Sequence, residues 1–491
     1  MKLSFLLSSL SEKEVFYFKD LEIKSITDDS RDTKENSLFV AIKGEKFDGH
    51  SFIQEAIKKG ASCIVVEDKK YIAEDFTFIL VPSSRRALSQ LASAFFENPG
   101  QSLEIIGITG TNGKTTTAFL IEEIFKKASF SIARFSTIGH KIGDCDIPTL
   151  LTTPHPLEMF KLLLKAKNKG AKFVVMEVSS HGLSLERVSG IKFKQAIFTN
   201  LTQDHLDFHK TFENYLLAKK SLFLSLSKKS SAFVNIDSFF YKKIISGIKA
   251  RIITYGIENN ADIKASDIKE SADGISFSIK GERIKTRLYG TYNIYNCLAA
   301  ISCAITNGIS FDVIKETLSN FKPPSGRFEV IWKKPFVVVD YAHTPDGLSC
   351  VLKAGLSLIH KRIILVFGCG GNREKEKRPI MGKIAERLST IPIVTSDNPR
   401  DEDPEMIMEE IERGIKKAHL RILNREEAIK KAIELADKDD LVLIAGKGHE
   451  DYQIIGNKRI PFSDKKVALG ILKEMQNAKQ NSSRLKALGS K

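Results

Sequence analysis

The chain has 491 residues, of which 42% are hydrophobic, and a formal net charge of +15. That length exceeds one ordinary hydrophobic core and implies roughly two to four domains. No run approaches the roughly 18–20 uninterrupted apolar residues of a helical membrane span, and the cysteines at 63, 145, 297, 303, 350 and 369 have neither CxxC nor Cys/His metal spacing.

Met1–Leu10 reads as a short amphipathic helix capping the first unit. Ser8 and Ser9 break its apolar run, and no small-residue cleavage site precedes Glu12 and Lys13, which argues against a secretory signal. Ser37–Ile42, Cys63–Val66 and Phe78–Val81 are predicted strands and Phe52–Lys59 a helix. Ser83 is placed to cap a helix over Arg85–Phe96, and Asn98-Pro99-Gly100 then breaks the chain. A second unit opens with a strand over Leu103–Ile108, a Gly/Thr loop and a helix through Lys127. Strands at Phe173–Val178 and Ala196–Thr199 follow. This βαβ alternation predicts an α/β fold with a mostly parallel sheet covered by helices. Arg251–Tyr255, Ile275–Ile279 and Arg283–Leu288 read as short strands of an antiparallel extension.

Lys322-Pro323-Pro324-Ser325-Gly326 marks a second break. Beyond it Phe336–Asp340, Arg362–Phe367, Ile391–Thr395 and Asp440–Ile444 each read as a buried strand entering a polar or Gly-rich loop. Ligands of doubly wound sheets gather at such strand ends. These breaks divide the chain into units over 1–99, 100–329 and 330–478, with a flexible tail expected over 479–491. The excess lysine is spread along the chain without an aromatic-interleaved basic stripe, so it is read as solvated surface and no nucleic-acid partner is expected. The scattered cysteines leave pairing open in the sequence, and the expectation is reduced thiols in a cytosolic enzyme.

The strand ends carry the chemistry. Gly110-Thr111-Asn112-Gly113-Lys114-Thr115-Thr116 follows a strand and opens a helix, where backbone N–H groups can cradle phosphates. Lys114 would reach the β- and γ-phosphates and Thr115 would hold Mg²⁺. The strict GxxxxGK[ST] spacing is not met, since Ile108 stands five residues before Gly113. Glu177 ends the next buried strand, as a helix cap or a second Mg²⁺ ligand. The stretch from Asn200 to His209 packs two His and two Asp together, for capping or for metal and substrate contact.

GTNGKTT, MEVSSHGL from Met176 and NLTQDHLDFH from Asn200 occur in that order. Lys219 on a following helix, Asn293 and Asn296, Gly326-Arg327-Phe328-Glu329 and Asp340-Tyr341-Ala342-His343 come next. Together they resemble the Mur ligases, from about Thr27 to Asp464. The resemblance implies three domains, UDP-binding, ATP-binding and a Rossmann-like C-terminal domain, and an acyl-phosphate ligase. It implies that Gly110 to Thr116, Asn296, Arg327, Asp340 and His343 bind ATP. Thr115, Glu177, His205 and a carbamylated Lys219 would be metal ligands, for two Mg²⁺ ions, with Lys114, Lys219, His205 and Glu177 as the catalytic set.

The first unit carries Thr27-Asp28-Asp29-Ser30-Arg31 and Lys43-Gly44-Glu45-Lys46-Phe47, similar to the UDP-sugar site of the type that adds the third peptide residue. Ser30, Glu45, Lys46 and Phe47 would contact the UDP end, and Thr152, Thr153, Ser179 and Arg187 the sugar and peptide of UDP-N-acetylmuramoyl-L-Ala-D-Glu. Leu151 and Leu185 depart from the Asn and Gln often found there. The donor is read from Asp397-Asn398-Pro399-Arg400, which is similar to the family's diaminopimelate-adding members. Arg400 suits bidentate carboxylate recognition; Arg373, Gly446 and Glu450 complete that expected site. The expectation is a cytoplasmic monomer using ATP, Mg²⁺ and meso-diaminopimelate. The rival readings are a lysine-adding sister enzyme, a nucleic-acid-dependent ATPase and a non-catalytic nucleotide-binding module.

Overall fold

Apolar strings without alternation, such as Phe173–Glu177, Ile363–Phe367 and Leu441–Ala445, form strands buried along their whole length. The structure, a computed structural model, describes residues 1–44, 47–358 and 361–488. Glu45 and Lys46, expected in the UDP site, therefore lie outside the described residues.

In the first unit five strands run in the order Glu14–Phe16, Thr77–Leu80, Ala61–Val66, Ser37–Val40, Ser25–Thr27. All pairings are parallel except that of the first strand. The helix Leu3–Leu7 buries Leu3, Leu6 and Leu7, so the N-terminal segment caps this core. Ser83 caps the helix Ser84–Phe95 by accepting the Arg86 N–H at 3.2 Å.

The central unit holds a nine-stranded sheet. Its middle strand, Glu104–Thr109, lies between Gln195–Phe198 and Phe173–Glu177, and the chain leads away from it in both directions. This is a topological switch point, where the loop ends leave a crevice. Arg251–Gly256 corrects one expectation: it pairs in parallel with Ser231–Asn235 and extends this sheet. Tyr255 is fully buried there, and its hydroxyl donates to the Phe198 carbonyl at 2.8 Å. The separate antiparallel sheet is built from Ser266–Ser271, Gly274–Ile279 and Glu282–Thr286.

The third unit has six strands in the order Glu329–Lys333, Phe336–Asp340, Leu441–Ala445, Ile363–Phe367, Ile391–Val394, Leu420–Arg421, with only the first pair antiparallel. A hairpin of Tyr452–Ile455 and Lys458–Pro461 follows. The last helix, Asp464–Leu488, carries helical backbone beyond Ala478, where a loose tail is expected. Beyond Ala478 its Lys, Leu, Arg and Ala are good helix formers, and neither Gly nor Pro occurs between Ala478 and Gly489. Among the described residues no helix is long and apolar enough to cross a membrane. The six cysteines are all unpaired.

One buried group predicts an acid-sensitive core. His140, on the antiparallel edge of the central sheet, is 1% exposed, and neither ring nitrogen has a hydrogen-bond partner. Burial, with the Arg134 guanidinium nearby, pushes its pKa down to about 4. Between that value and the unfolded value of about 6.5 the unfolded chain binds more protons, so stability falls as pH falls through this window. Replacing His140 with Phe is expected to reduce the stability lost between pH 7.5 and pH 5, measured by urea unfolding at both values. An equal loss in both proteins would show that His140 does not titrate in this way.

Candidate active site

The loop between the strand Glu104–Thr109 and the helix Lys114–Lys127 is shaped by two glycines. Gly110 and Gly113 have φ of +149° and +88°. A Cβ at Gly110 would lie 1.9 Å from Thr199 Oγ1, and one at Gly113 would lie 2.3 Å from Asn296 Oδ1, so neither position admits a side chain. Lys114 Nζ curls back to donate to the Gly110 carbonyl at 2.7 Å and the Thr111 carbonyl at 2.9 Å. The free N–H groups of the first helical turn thus face an open concavity, an anion cradle.

Beneath the loop lies Lys219, 1% exposed, on the helix Phe212–Leu224. Its Nζ donates to the same Gly110 carbonyl at 2.9 Å and stands 4.5 Å from the centre of the Tyr215 ring. Two amines, one buried and one half-buried, therefore share one acceptor. Desolvation, reinforced by Lys114, drives the Lys219 pKa well below the ordinary lysine value. His205 is half-buried beside Asp204, whose Oδ2 lies 3.3 Å from Nε2, and desolvation lowers the His205 pKa to about 3. Glu177 is 1% exposed and accepts from Thr137, N–H at 2.9 Å and hydroxyl at 3.1 Å.

Around Glu177 the acceptor-side residues converge. Thr137 Oγ1 also lies 3.1 Å from Thr152 Oγ1, and the Thr153 hydroxyl donates to the Glu177 carbonyl at 3.0 Å. Ser179 N–H donates to Thr153 Oγ1 at 2.9 Å, and Arg187 Nη1 donates to the Thr153 carbonyl at 2.8 Å. Ser30 lies apart from this cluster in the first unit, where it is buried and its hydroxyl donates to Glu55 Oε2 at 3.0 Å. Phe47 is 73% exposed on that unit. Leu151 is exposed, and Leu185 ends the short helix Ser180–Ser184.

The third unit and the segment of the central unit that leads into it close the phosphate cleft from the opposite side. Arg327 Nη2 donates to Thr115 Oγ1 at 3.1 Å, and Asn112 Nδ2 donates to Asp346 Oδ2 at 2.8 Å. Asp340 accepts the backbone N–H groups of Phe328 and Ala342 at 2.6 and 2.7 Å, fixing the turn that aims Arg327. Burial raises its pKa to about 6, against the pull of Arg327. His343 Nδ1–H donates to the Tyr341 carbonyl at 2.8 Å, and burial lowers its pKa to about 4. Asn296, Thr116 and Tyr292 complete the walls of this cleft.

A second cleft opens alongside. It is lined by His205 and Asp207 of the central unit and by Arg373, Asp397, Arg400, Gly446 and Glu450 of the third. Arg400 adopts φ of +53°, unusual for a non-glycine residue, and its Nη1 donates to the Gly371 carbonyl at 2.7 Å. Burial and the neighbouring Arg373 guanidinium both depress its pKa. Two guanidiniums facing one cleft ask for an anion between them. Pro399 shapes the turn but offers no N–H; its carbonyl accepts from Glu402 N–H at 3.1 Å.

Family models match the chain over three segments: "Mur ligase family, catalytic domain" at residues 22–96, "Mur ligase middle domain" at 108–304, and "Mur ligase, glutamate ligase domain" at 326–448. A UDP-N-acetylmuramoyl-L-alanyl-D-glutamate--2,6-diaminopimelate ligase 1 of Clostridium acetobutylicum is 42% identical, covering 97% of this chain and 100% of that protein. The chain belongs to the Mur ligase family. A Bacillus velezensis relative named as the 2,6-diaminopimelate ligase is 46% identical over 95% of this chain and 98% of its own. A solved structure of such a ligase is 32% identical, with a TM-score of 0.66, covering 92% of this chain and 95% of that one.

In this Mur ligase the structure thus brings the expected ATP and donor residues to two adjoining clefts. Several residues that complete them were not anticipated. Thr137 follows the strand Ile132–Ser136, so the rule of strand ends could have found it. Asp346, which accepts from Asn112, starts the helix after a strand-end loop and was open to the same rule. Tyr215, bonded to Thr111 Oγ1 at 2.9 Å, lies four residues before Lys219 and so one helical turn away. Lys447 is wholly buried, and nothing in its Gly-rich loop signals that.

Proposed function

We propose that this Mur ligase joins meso-diaminopimelate to the D-glutamyl γ-carboxylate of UDP-N-acetylmuramoyl-L-alanyl-D-glutamate, forming ADP and phosphate in cytoplasmic peptidoglycan precursor synthesis. The observation that carries the reading is the paired Arg373 and Arg400 facing Glu450 in a cleft that adjoins the phosphate loop. A donor bearing two carboxylates and two amines needs guanidiniums and a carboxylate together. The near end-to-end match to relatives named for this donor supports it.

In the first step a γ-carboxylate oxygen attacks the γ-phosphorus of ATP and the bond to ADP breaks, leaving an acyl phosphate. The donor's neutral amine nitrogen then attacks the acyl carbon. The tetrahedral adduct expels phosphate, a proton leaves the nitrogen, and the amide remains. Lys114 and the helix N-terminus stabilise the charge moving onto the phosphates, while Arg327 and Asp340 orient the nucleotide. Thr152, Thr153, Ser179 and Arg187 hold the acyl substrate, whose uridine end reaches the first unit at Ser30 and Phe47. We place the unit boundaries near residues 99 and 329, and read the working enzyme as a monomer.

Thr115, Glu177 and His205 would hold Mg²⁺. Their chemistry fits: a hydroxyl, a carboxylate and an imidazole held neutral by burial, with few enough protein ligands for phosphate oxygens and water to complete the shell. A Mg²⁺ ion held there would supply charge neutralisation at the phosphate oxygens. Lys219 fits as a carbamate. The neutral amine bonds to the carbon of carbon dioxide through Nζ and loses one N–H proton, replacing the repulsion of two lysines at one carbonyl by attraction to Lys114.

The testing experiment incubates the protein with ATP, Mg²⁺ and the UDP-dipeptide, with meso-diaminopimelate, L-lysine or no amine, and follows ADP and product mass. Tripeptide and ADP with diaminopimelate alone are expected. A lysine product would overturn the donor, and no amine-dependent ADP would overturn the ligase. Arg400→Ala is expected to raise the donor KM by about 10-fold or more, the worth of a charged hydrogen bond. It should also narrow the preference for diaminopimelate over lysine; an unchanged preference would remove Arg400 from donor recognition.

A further inference from the structure

The donor cleft has an inner frame that the proposed reaction does not use. Lys447 is fully buried, and its Nζ donates to Asn398 Oδ1 at 3.0 Å and to Glu450 Oε2 at 2.9 Å. Asn398, itself 3% exposed, donates Nδ2 to the same Glu450 oxygen at 2.8 Å and accepts the Ile454 N–H on Oδ1 at 3.0 Å. Glu450 Oε2 therefore has two inward donors, while Glu450 lines the cleft. The same hairpin holds the rest of the segment. Gln453 Nε2 donates to the Asp397 carbonyl at 2.8 Å, Arg400 N–H to the Ile454 carbonyl at 3.0 Å, and Gly456 N–H to the Arg400 carbonyl at 2.7 Å.

A buried ammonium is retained only where its charge is compensated, and here the compensating carboxylate is the one facing the cleft. We infer that Lys447 is a positioning residue for the amine donor: it fixes the rotamer of Glu450 and, through Asn398, the register of the segment that presents Arg400. The inference rests on the donor reading of this cleft. Removing the ammonium frees Glu450 to swing and leaves its charge uncompensated, so recognition of the donor's ammonium and of its carboxylate weakens together. Binding of ATP and of the UDP-dipeptide, on other surfaces, is untouched.

The test is a double-mutant cycle of Lys447→Met, Glu450→Gln and the pair, with KM for all three substrates and kcat measured in each. The wild-type donor panel comes first: a different preferred amine would overturn the diaminopimelate reading, and the cycle would then run on that amine. Lys447→Met is expected to raise the donor KM about 10-fold or more, with kcat and the other two KM values changed less than about 3-fold. The double variant should be no worse than Glu450→Gln alone, since both changes remove one linked interaction. The double variant also carries no uncompensated charge, so it serves if Lys447→Met fails to fold. An unchanged donor KM, multiplying effects in the pair, or ATP and donor KM values rising together would each overturn the inference.

Discussion

Replacing Lys114 with Ala is expected to lower ADP formation by at least about 10³-fold, the scale on which one preorganised transition-state donor acts. Its ammonium does two things in this structure. It closes the loop by donating to the Gly110 and Thr111 carbonyls, and it brings a positive charge to the mouth of the cradle. Alanine removes both, while the glycine conformations at 110 and 113 remain possible because Thr199 and Asn296 still pack against them. The fold should therefore persist, with its thermal midpoint little changed in the absence of nucleotide. The stabilisation that added ADP gives the wild-type protein should shrink, since a ligand stabilises only by its affinity for the folded state. ADP release within about 10-fold of wild type would contradict the phosphate-loop assignment.

How much of this was legible before the structure depended on how local each signal is. The strand–loop–helix pattern at 103–127 contained the glycines, the lysine and the helix start within one short stretch, and the helix indeed begins at Lys114. The loops that hold Asp397, Arg400, Gly446 and Glu450 were readable because they follow apolar strands, but the roles expected of these residues came from the resemblance of their motifs to the family. Arg251–Gly256 was misassigned because a short strand carries no mark of which sheet it joins; burial of Tyr255 against Phe198 decides that across 57 residues of sequence. The hairpin clamp on Arg400 and the burial of Lys447 were equally invisible. Both depend on partners some fifty residues away: Lys447 bonds the Asn398 side chain across a separation of 49, and Asn398 the Ile454 N–H across 56.

Lys219 yields the other large effect, and one of opposite sign in stability. Lys219→Met is expected to reduce ligase turnover by on the order of 10²–10³-fold, comparable to losing a charged group that acts in the transition state. The same substitution is expected to raise the thermal midpoint in buffer stripped of carbon dioxide. A lysine whose folded pKa is depressed binds fewer protons folded than unfolded, so below the ordinary lysine pKa its burial opposes folding, and increasingly so as pH falls. Methionine of similar length removes that penalty and leaves the Gly110 carbonyl to Lys114. Restoring bicarbonate should then stabilise and activate the wild-type protein and do neither for the variant, because only the wild type can form the carbamate. Labelled bicarbonate gives the direct reading: a carbamate carbon signal in the wild type, fading on acidification together with activity. If wild-type activity and stability were indifferent to bicarbonate and no such signal formed, Lys219 would be acting as an amine. Its shared carbonyl with Lys114 would then serve only to hold the loop.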